Sequence, residues 1–455
     1  MAPWTRHVRM ARRGVFAALM ALAATSHVLA GWTVTYRNAV SLSSGPVPGI
    51  TELSGVTYLG PSTGGLQRFA AVQDDGSGLV TFDVSLAANG SLLSAVAVSE
   101  LNLQGGLDDN DHEGVAFTNA ARNSVFVAEE RTPDLSEYSL ATGNRIQSVE
   151  LPAVYDNVRN NLGLESLTRA PDGRTMWTAN EEALSVDGPI SNASHGTYVR
   201  LLRMDVEGAD VTVGPQVAYL VDAVHGSDPN KSGLSDLVVL PDDTLITLER
   251  SRVDSGSPLN VNRIFQVDVT NATDVGAAPY DAGLVGQMFM PAGKTSLWSG
   301  PVGTAAGVNM EGLALGPQLA SGNWLLLGVA DNGGSGSNPI ITFELSLTGC
   351  SLAGDYNCNG TVGEEDYKLW RSTFGSTLAT AADGNGNGTV DAADYTVWRD
   401  SFTAFLGSSG AADLSSGARL AVPEPGAACL LLIGVLLASR GAGTVARRRS
   451  AHDRW

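Results

Sequence analysis

The sequence predicts an all-β chain folded as a β-propeller, and three observations carry that expectation. A short pattern recurs five times: an acid or polar residue beside a glycine or its equivalent, an apolar run, a turn, and a second apolar run ending in acidic or amide side chains. The runs are rich in β-branched and aromatic residues and their turns are often Asp-Gly or Asp-Asp, as hairpins require. The copies recur at steps of about 50 to 75 residues, the length of one four-stranded sheet with loop insertions. Five copies are legible and the longer steps leave room for a degenerate sixth. Six blades are expected.

In chain order, residues 1–30 read as a secretory signal. Arg6, Arg9, Arg12 and Arg13 supply its positive region, Gly14 to Ala24 its apolar one and Val28-Leu29-Ala30 a small-residue cleavage site. The apolar run is too short to span a membrane, so export is expected. Residues 31–348 carry the repeats. Their copies begin at Leu53-Ser54-Gly55, Asp111-His112-Glu113-Gly114, Leu164-Glu165-Ser166, Gly233-Leu234-Ser235-Asp236 and Met310-Glu311-Gly312. The second runs end in Asp74-Asp75, Glu129-Glu130, Glu181-Glu182, Glu249-Arg250 and Asp331-Asn332.

The chain is acidic, with a net charge of -19, and its basic residues gather at both ends, so the body is more acidic still. Such a body repels nucleic acid and invites cations. The 3 cysteines are too few for a disulfide framework. Cys350 and Cys358 could pair in an oxidising compartment, whereas Cys429 lies in an apolar run.

Equivalent positions of successive blades converge on one axis. Glu113, Glu165, Asp236 and Glu311, joined by Glu130, Glu182 and Asp331 from the second runs, would therefore stack carboxylates around one channel. Like charges that close stay ionised only with a counter-charge, and Ca²⁺ with its six to eight oxygen ligands supplies one. The competing reading is structural: a short acid at the start of a strand can accept backbone N–H bonds of its own turn. Arg131, Arg250, Arg252 and Lys294 could neutralise phosphate oxygens, with Arg250 best placed because it occupies a repeat position. His112, beside Glu113, could serve as acid or base, or as a loop histidine with no role. No Gly-x-Ser-x-Gly elbow occurs, which disfavours a serine-hydrolase mechanism.

On Asp111-His112-Glu113-Gly114, Asn161-Leu162-Gly163-Leu164-Glu165-Ser166-Leu167, Gly233-Leu234-Ser235-Asp236 and Asn309-Met310-Glu311-Gly312-Leu313-Ala314, the region 50–346 resembles the family known as "esterase-like activity of phytase". The resemblance implies a β-propeller that hydrolyses ester, including phosphate ester, bonds. Glu113, Glu165, Glu311, Asp236 and Arg250 are then the expected catalytic residues. A non-catalytic propeller binding glycan or protein, and a calcium-dependent lactonase, remain open alternatives.

Residues 354–406 form a separate unit. Asp355-Tyr356-Asn357-Cys358-Asn359-Gly360-Thr361-Val362-Gly363-Glu364-Glu365-Asp366 has the spacing of a calcium loop: oxygen ligands at Asp355, Asn357 and Asn359, glycine at the sixth position, the Thr361 carbonyl and Asp366 at the twelfth. The segment Asp383 to Asp394 repeats it 28 residues on, with Asp383, Asn385, Asn387, Thr389, Asp391 and Asp394 as ligands. Each loop runs into a helix, Tyr367 to Phe374 and Tyr395 to Phe402. The duplicated loop-helix resembles a dockerin, which implies a cohesin-type scaffold partner; a purely structural calcium staple is the plainer reading.

Residues 407–421 are a Gly/Ser/Ala-rich linker. In 422–449 come Val422-Pro423-Glu424-Pro425, an apolar stretch Ala427 to Ala438 and a basic tail. This resembles a PEP-CTERM sorting signal and implies transient membrane insertion, an exosortase-type processing enzyme and a Gram-negative-type envelope. A plain C-terminal anchor is the alternative.

Overall fold

The computed structural model describes residues 31–74, 76–106, 111–226, 232–331, 337–348, 352–356, 362–376 and 382–408. The proposed leader, most of the linker, the sorting segment, Asp75, Asn332, Cys350, Asn357, Cys358, Asn359 and Thr361 lie outside the described residues.

Among the described residues, twenty strands form five four-stranded antiparallel sheets. Strand β1 (Gly31–Ser41) precedes the first complete blade, β2 (Leu53–Pro61), β3 (Gln67–Gln73), β4 (Gly78–Leu86) and β5 (Leu92–Asn102). The second blade is β6 (His112–Phe117), β7 (Ser124–Glu129), β8 (Asp134–Ser139) and β9 (Arg145–Ser148). The third is β10 (Leu164–Arg169), β11 (Thr175–Asn180), β12 (Thr197–Glu207) and β13 (Asp210–Val221). The fourth is β14 (Ser232–Val239), β15 (Leu245–Arg252), β16 (Asn260–Asp268) and β17 (Gly293–Gly300). The last supplies β18 (Asn309–Gln318), β19 (Trp324–Asp331) and β20 (Pro339–Thr348), and β1 pairs with β20 as its outer strand.

The expectation of six blades is therefore corrected to five. Among the described residues the long third and fourth steps hold no extra sheet. They hold the 11- and 12-residue strands β12 and β13, and the connection between β16 and β17. The closing strand comes from the chain's start, which a search for complete repeats does not see.

The inner strands are largely buried on both faces because neighbouring blades cover each sheet on both sides, whereas outer strands such as β9 and β17 are more exposed. In β3, Phe69 packs toward the last blade with Leu325 and Leu327, while its neighbour Ala70 packs toward the second blade with Val125 and Val127. Comparable layers join blades two and three through Phe126 and Met176, three and four through Tyr219 and Leu237, and four and five through Ile246 and Phe343. The core is thus a ring of inter-blade layers.

Helices α1 (Glu364–Thr373) and α2 (Ala392–Ser408) follow. Tyr356, Val362, Trp370, Val390, Tyr395 and Trp398 form their own core. The two halves cross-brace: Trp370 Nε1 donates to the Asp391 carbonyl (2.8 Å) and Trp398 Nε1 to the Gly363 carbonyl (2.7 Å). Among the described residues no helix is long and apolar enough to cross a membrane.

Candidate functional site

Each inner strand carries a register break near its start. The pairing skips Ser54-Gly55 in β2, Glu113 in β6, Glu165 in β10, Ser235 in β14 and Glu311 in β18. A bulge re-aims the residue it leaves unpaired, and here Ser54, Glu113, Glu165 and Glu311 line an axial cavity of about 200 Å³. The glycine after the acid permits close approach. A Cβ on Gly114 would lie 2.6 Å from the Leu167 nitrogen, and one on Gly312 would lie 2.6 Å from the Ser54 carbonyl oxygen. Neighbouring inner strands touch backbone to backbone there.

A second ring comes from the ends of the second strands. Gln73, Glu129, Asn180, Glu249 and Ala330 stand opposite equivalent positions of the inner strands. The next residues, Asp74, Glu130, Glu181, Arg250 and Asp331, all line the cavity. Asn161, Asn309 and the exposed Arg252 complete the polar wall. The described lining thus holds seven carboxylates against two arginines.

Arg250 is buried and donates from Nε to Glu311 (2.6 Å), with Nη2 2.8 Å from Glu181 and 3.3 Å from Glu165. Glu113 accepts from the Ser54 hydroxyl, and Glu311 accepts from Asn309 Nδ2. Burial first, then the neighbouring carboxylates, push Asp74 up to about 7 and Glu130 up to about 9. The same causes raise Glu113 and Glu165 well above the carboxylate range. Glu311 is pushed up to about 7 by burial, with Arg250 opposing.

Two groups of oxygens gather closely: Asp74, Asp111 and Glu113, and Glu130, Glu165 and Glu181, each within 4.8 Å. Two oxygens on opposite sides of one Ca²⁺ stand roughly 4.6–5.2 Å apart, given Ca–O distances of about 2.3–2.6 Å. The spacing and the all-oxygen donor set fit such an ion.

Other expected site residues fall elsewhere. Asp236 occupies the position of Gly114 and Gly312, one residue after the bulge, so it is not the equivalent of the three glutamates. Its buried carboxylate accepts the backbone N–H groups of Leu313 (2.7 Å) and Leu237 (2.8 Å), outside the cavity lining. Glu182 is one residue past the ring and turns to the Ser191 N–H (2.9 Å) and hydroxyl. Lys294 lies 2.7 Å from both Glu249 and Asp222, over the Phe265 ring, away from the axis. Arg131 reaches Asp111 (2.8 Å), and buried His112 pairs with Glu129 (2.8 Å).

Asp74, Asp111 and Glu181 belong to the site as well, Asp74 and Glu181 as ends of second runs and Asp111 as the residue two before Glu113. Their signal was the strand register, which the turns set; aligning the acidic pairs by type placed blade three one residue off. In the helical module, the Asp383 carboxylate accepts from the N–H of Asn387 (3.0 Å) and Gly388 (2.6 Å). Asp394 accepts from Asn385 (3.0 Å) and Asp391 (2.7 Å), and Asp366 accepts from Gly363 (2.7 Å). Thr389 donates its N–H to Asn387 Oδ1 (2.8 Å), and Asp355 is buried.

A family model described as "Phytase-like: Esterase-like activity of phytase" matches residues 48–334, more than half of the chain. The chain belongs to the phytase-like family. That match spans most of the propeller and every cavity residue. No curated protein matches the phytase-like chain. Among solved structures, an α-L-arabinofuranosidase from Podospora anserina in complex with cellotriose is 10% identical, with 69% of this chain and 97% of that one covered at a TM-score of 0.37. A luciferin-regenerating enzyme is 10% identical, with 70% and 97% covered at a TM-score of 0.30. Likeness this slight carries no argument about activity.

Proposed function

We propose that this phytase-like propeller is a Ca²⁺-dependent hydrolase of phosphate or other anionic esters, working at the axial cavity. The observation that carries the reading is the pair of rings, seven buried or half-buried carboxylates converging on a space of about 200 Å³. Asp74, Asp111 and Glu113 in one group, and Glu130, Glu165 and Glu181 in the other, are the residues able to hold the ion. Ca²⁺ bound there supplies a Lewis acid for a phosphoryl or carbonyl oxygen and a more acidic water. Arg252 at the mouth, beside buried Arg250, offers the planar fork that grips anionic oxygens. Glu311 and Asp331 are the wall carboxylates outside both groups, and Glu311, fixed by Arg250 and Asn309, is the one assigned to take a proton from water.

The helical module is proposed as a dockerin, with Ca²⁺ held by Asp355, Asp366 and the 383–394 loop and a cohesin-type scaffold as partner. The ends of the chain are proposed as an export leader and a sorting signal processed at the cell envelope. The test is hydrolysis by the full chain of phytate, phosphomonoesters, carboxyl esters and lactones, each with Ca²⁺ and with chelator. Ca²⁺-dependent turnover of phosphoesters, lost in Glu311→Gln, is the expected result. Turnover confined to lactones favours a lactonase. No turnover by folded, Ca²⁺-loaded protein overturns the enzyme reading and leaves a surface-binding propeller.

A further inference from the structure

We propose that Arg250 is a resident counter-cation occupying one of the cavity's two cation seats, so that the propeller axis takes a single divalent ion, on the Asp74 side. The inference rests on the cation reading above and narrows it.

Four of the five blades place a carboxylate at the second-ring position, and the fourth blade places Arg250 there. Its guanidinium contacts Glu181 and Glu165, two of the three carboxylates of one group, and also Glu311. A guanidinium stays charged at any working pH. A divalent ion among Glu130, Glu165 and Glu181 would therefore face a fixed positive charge within a few ångströms and would have to take two of its ligands from it.

The Asp74 side differs. Among the described residues this group's ion pair is Arg131 with Asp111, and the Arg131 side chain is 48% exposed against 6% for Arg250. Asp111 itself is buried, but its half-exposed partner can swing out into water at little cost. A buried arginine leaves its carboxylates only at the cost of stranding charge away from water. The ring therefore carries one open seat and one filled from within, and an incoming anionic ester would meet a divalent ion and a guanidinium in the same cavity.

The test is the Ca²⁺ stoichiometry of the full chain by isothermal titration calorimetry, counted as variant minus parent so that ions in the C-terminal loops cancel. Arg250→Gln is expected to bind one more Ca²⁺ per chain than the parent. Glu130→Gln in that background should remove it, and Arg250→Lys should add none. The extra ion should also make the rise in Tm on adding Ca²⁺ larger for Arg250→Gln than for the parent, a readout that holds if the variant folds only with Ca²⁺. An unchanged count in Arg250→Gln, with the parent still losing one ion on Glu113→Gln, overturns the inference and spares the cation reading. A parent whose count ignores Glu113→Gln overturns both. An Arg250→Gln chain unfolded with and without Ca²⁺ alike overturns the inference, because the ion then cannot take the arginine's place.

Discussion

Glu181 and Glu182 are adjacent, identical and both buried, yet their carboxylates face different environments. Glu181 meets Arg250 in the cavity, and Glu182 meets Ser191 in the blade-three loop. In the Arg250→Gln background, Glu181→Gln is expected to remove the extra Ca²⁺ counted by calorimetry, because Glu181 belongs to the group that Arg250 otherwise fills. Glu182→Gln should leave Ca²⁺ binding alone and cost about 1–3 kcal/mol of stability, the range for disturbing a buried hydrogen-bonded group. The raised carboxyl groups predict a pH dependence as well. Metal-free folded protein keeps protons on Asp74, Glu311 and Glu130 at pH values where the unfolded chain has released them. Their contribution is fully present below the ordinary carboxylate range and is lost as pH rises through about 7 and then about 9. Tm in chelator should fall across that window, and added Ca²⁺ should flatten the fall.

At the scale of elements, the bulged inner strand is the unit that makes the site. The unpaired residue turns to the axis, and the glycine behind it lets the next blade approach. Gly114→Ala would press a methyl group against the Ser166–Leu167 backbone, an overpacking that costs about 1–3 kcal/mol. It should lower Ca²⁺ affinity too, because Glu113 and Glu165 flank the contact; thermal unfolding and calorimetry on one sample check both effects. The bulge positions are only partly legible in sequence. Glu113-Gly114 and Glu311-Gly312 announce themselves, but Ser235-Asp236 does not. Both its residues are polar, and only pairing shows that Ser235 is the skipped one and Asp236 stands where a glycine usually does.

For the whole molecule, closure is the decisive feature. Strand β1 runs antiparallel to β20, with Gly31 opposite Thr348 and Ser41 opposite Pro339. Asp331 stands at the cavity end of β19, and Trp324 at the other end lies across from Leu345 of β20. Both ends of the propeller therefore leave from the face opposite the acidic cavity. That far face has its own mainly apolar cavity of about 320 Å³, lined by Tyr58, Phe117, Leu167, Leu315 and Trp324. Trp32 fastens the closing strand: it packs with Leu248 and Phe343, and its indole donates to Asp242 (3.0 Å). Trp32→Ala should cost about 3–5 kcal/mol, the range for emptying a buried aromatic site. It should lower Tm with Ca²⁺ affinity unchanged, because the cavity lies at the other end of the strand.

The sequence by itself determined the all-β class, the hairpin repeat, the family and the acidic character of the axis. Each of these is written in local patterns of a few residues. It also marked Glu113, Glu165, Glu311, Arg250, Glu130 and Asp331 as a convergent set, since repeat position survives folding into a circular array. Tertiary structure alone decided the number of blades, because the last one borrows its outer strand from about three hundred residues earlier. It decided, too, which member of each acidic pair faces the axis. Successive side chains of a strand point to opposite sides, so a shift of one residue in register exchanges a cavity ligand for a loop anchor.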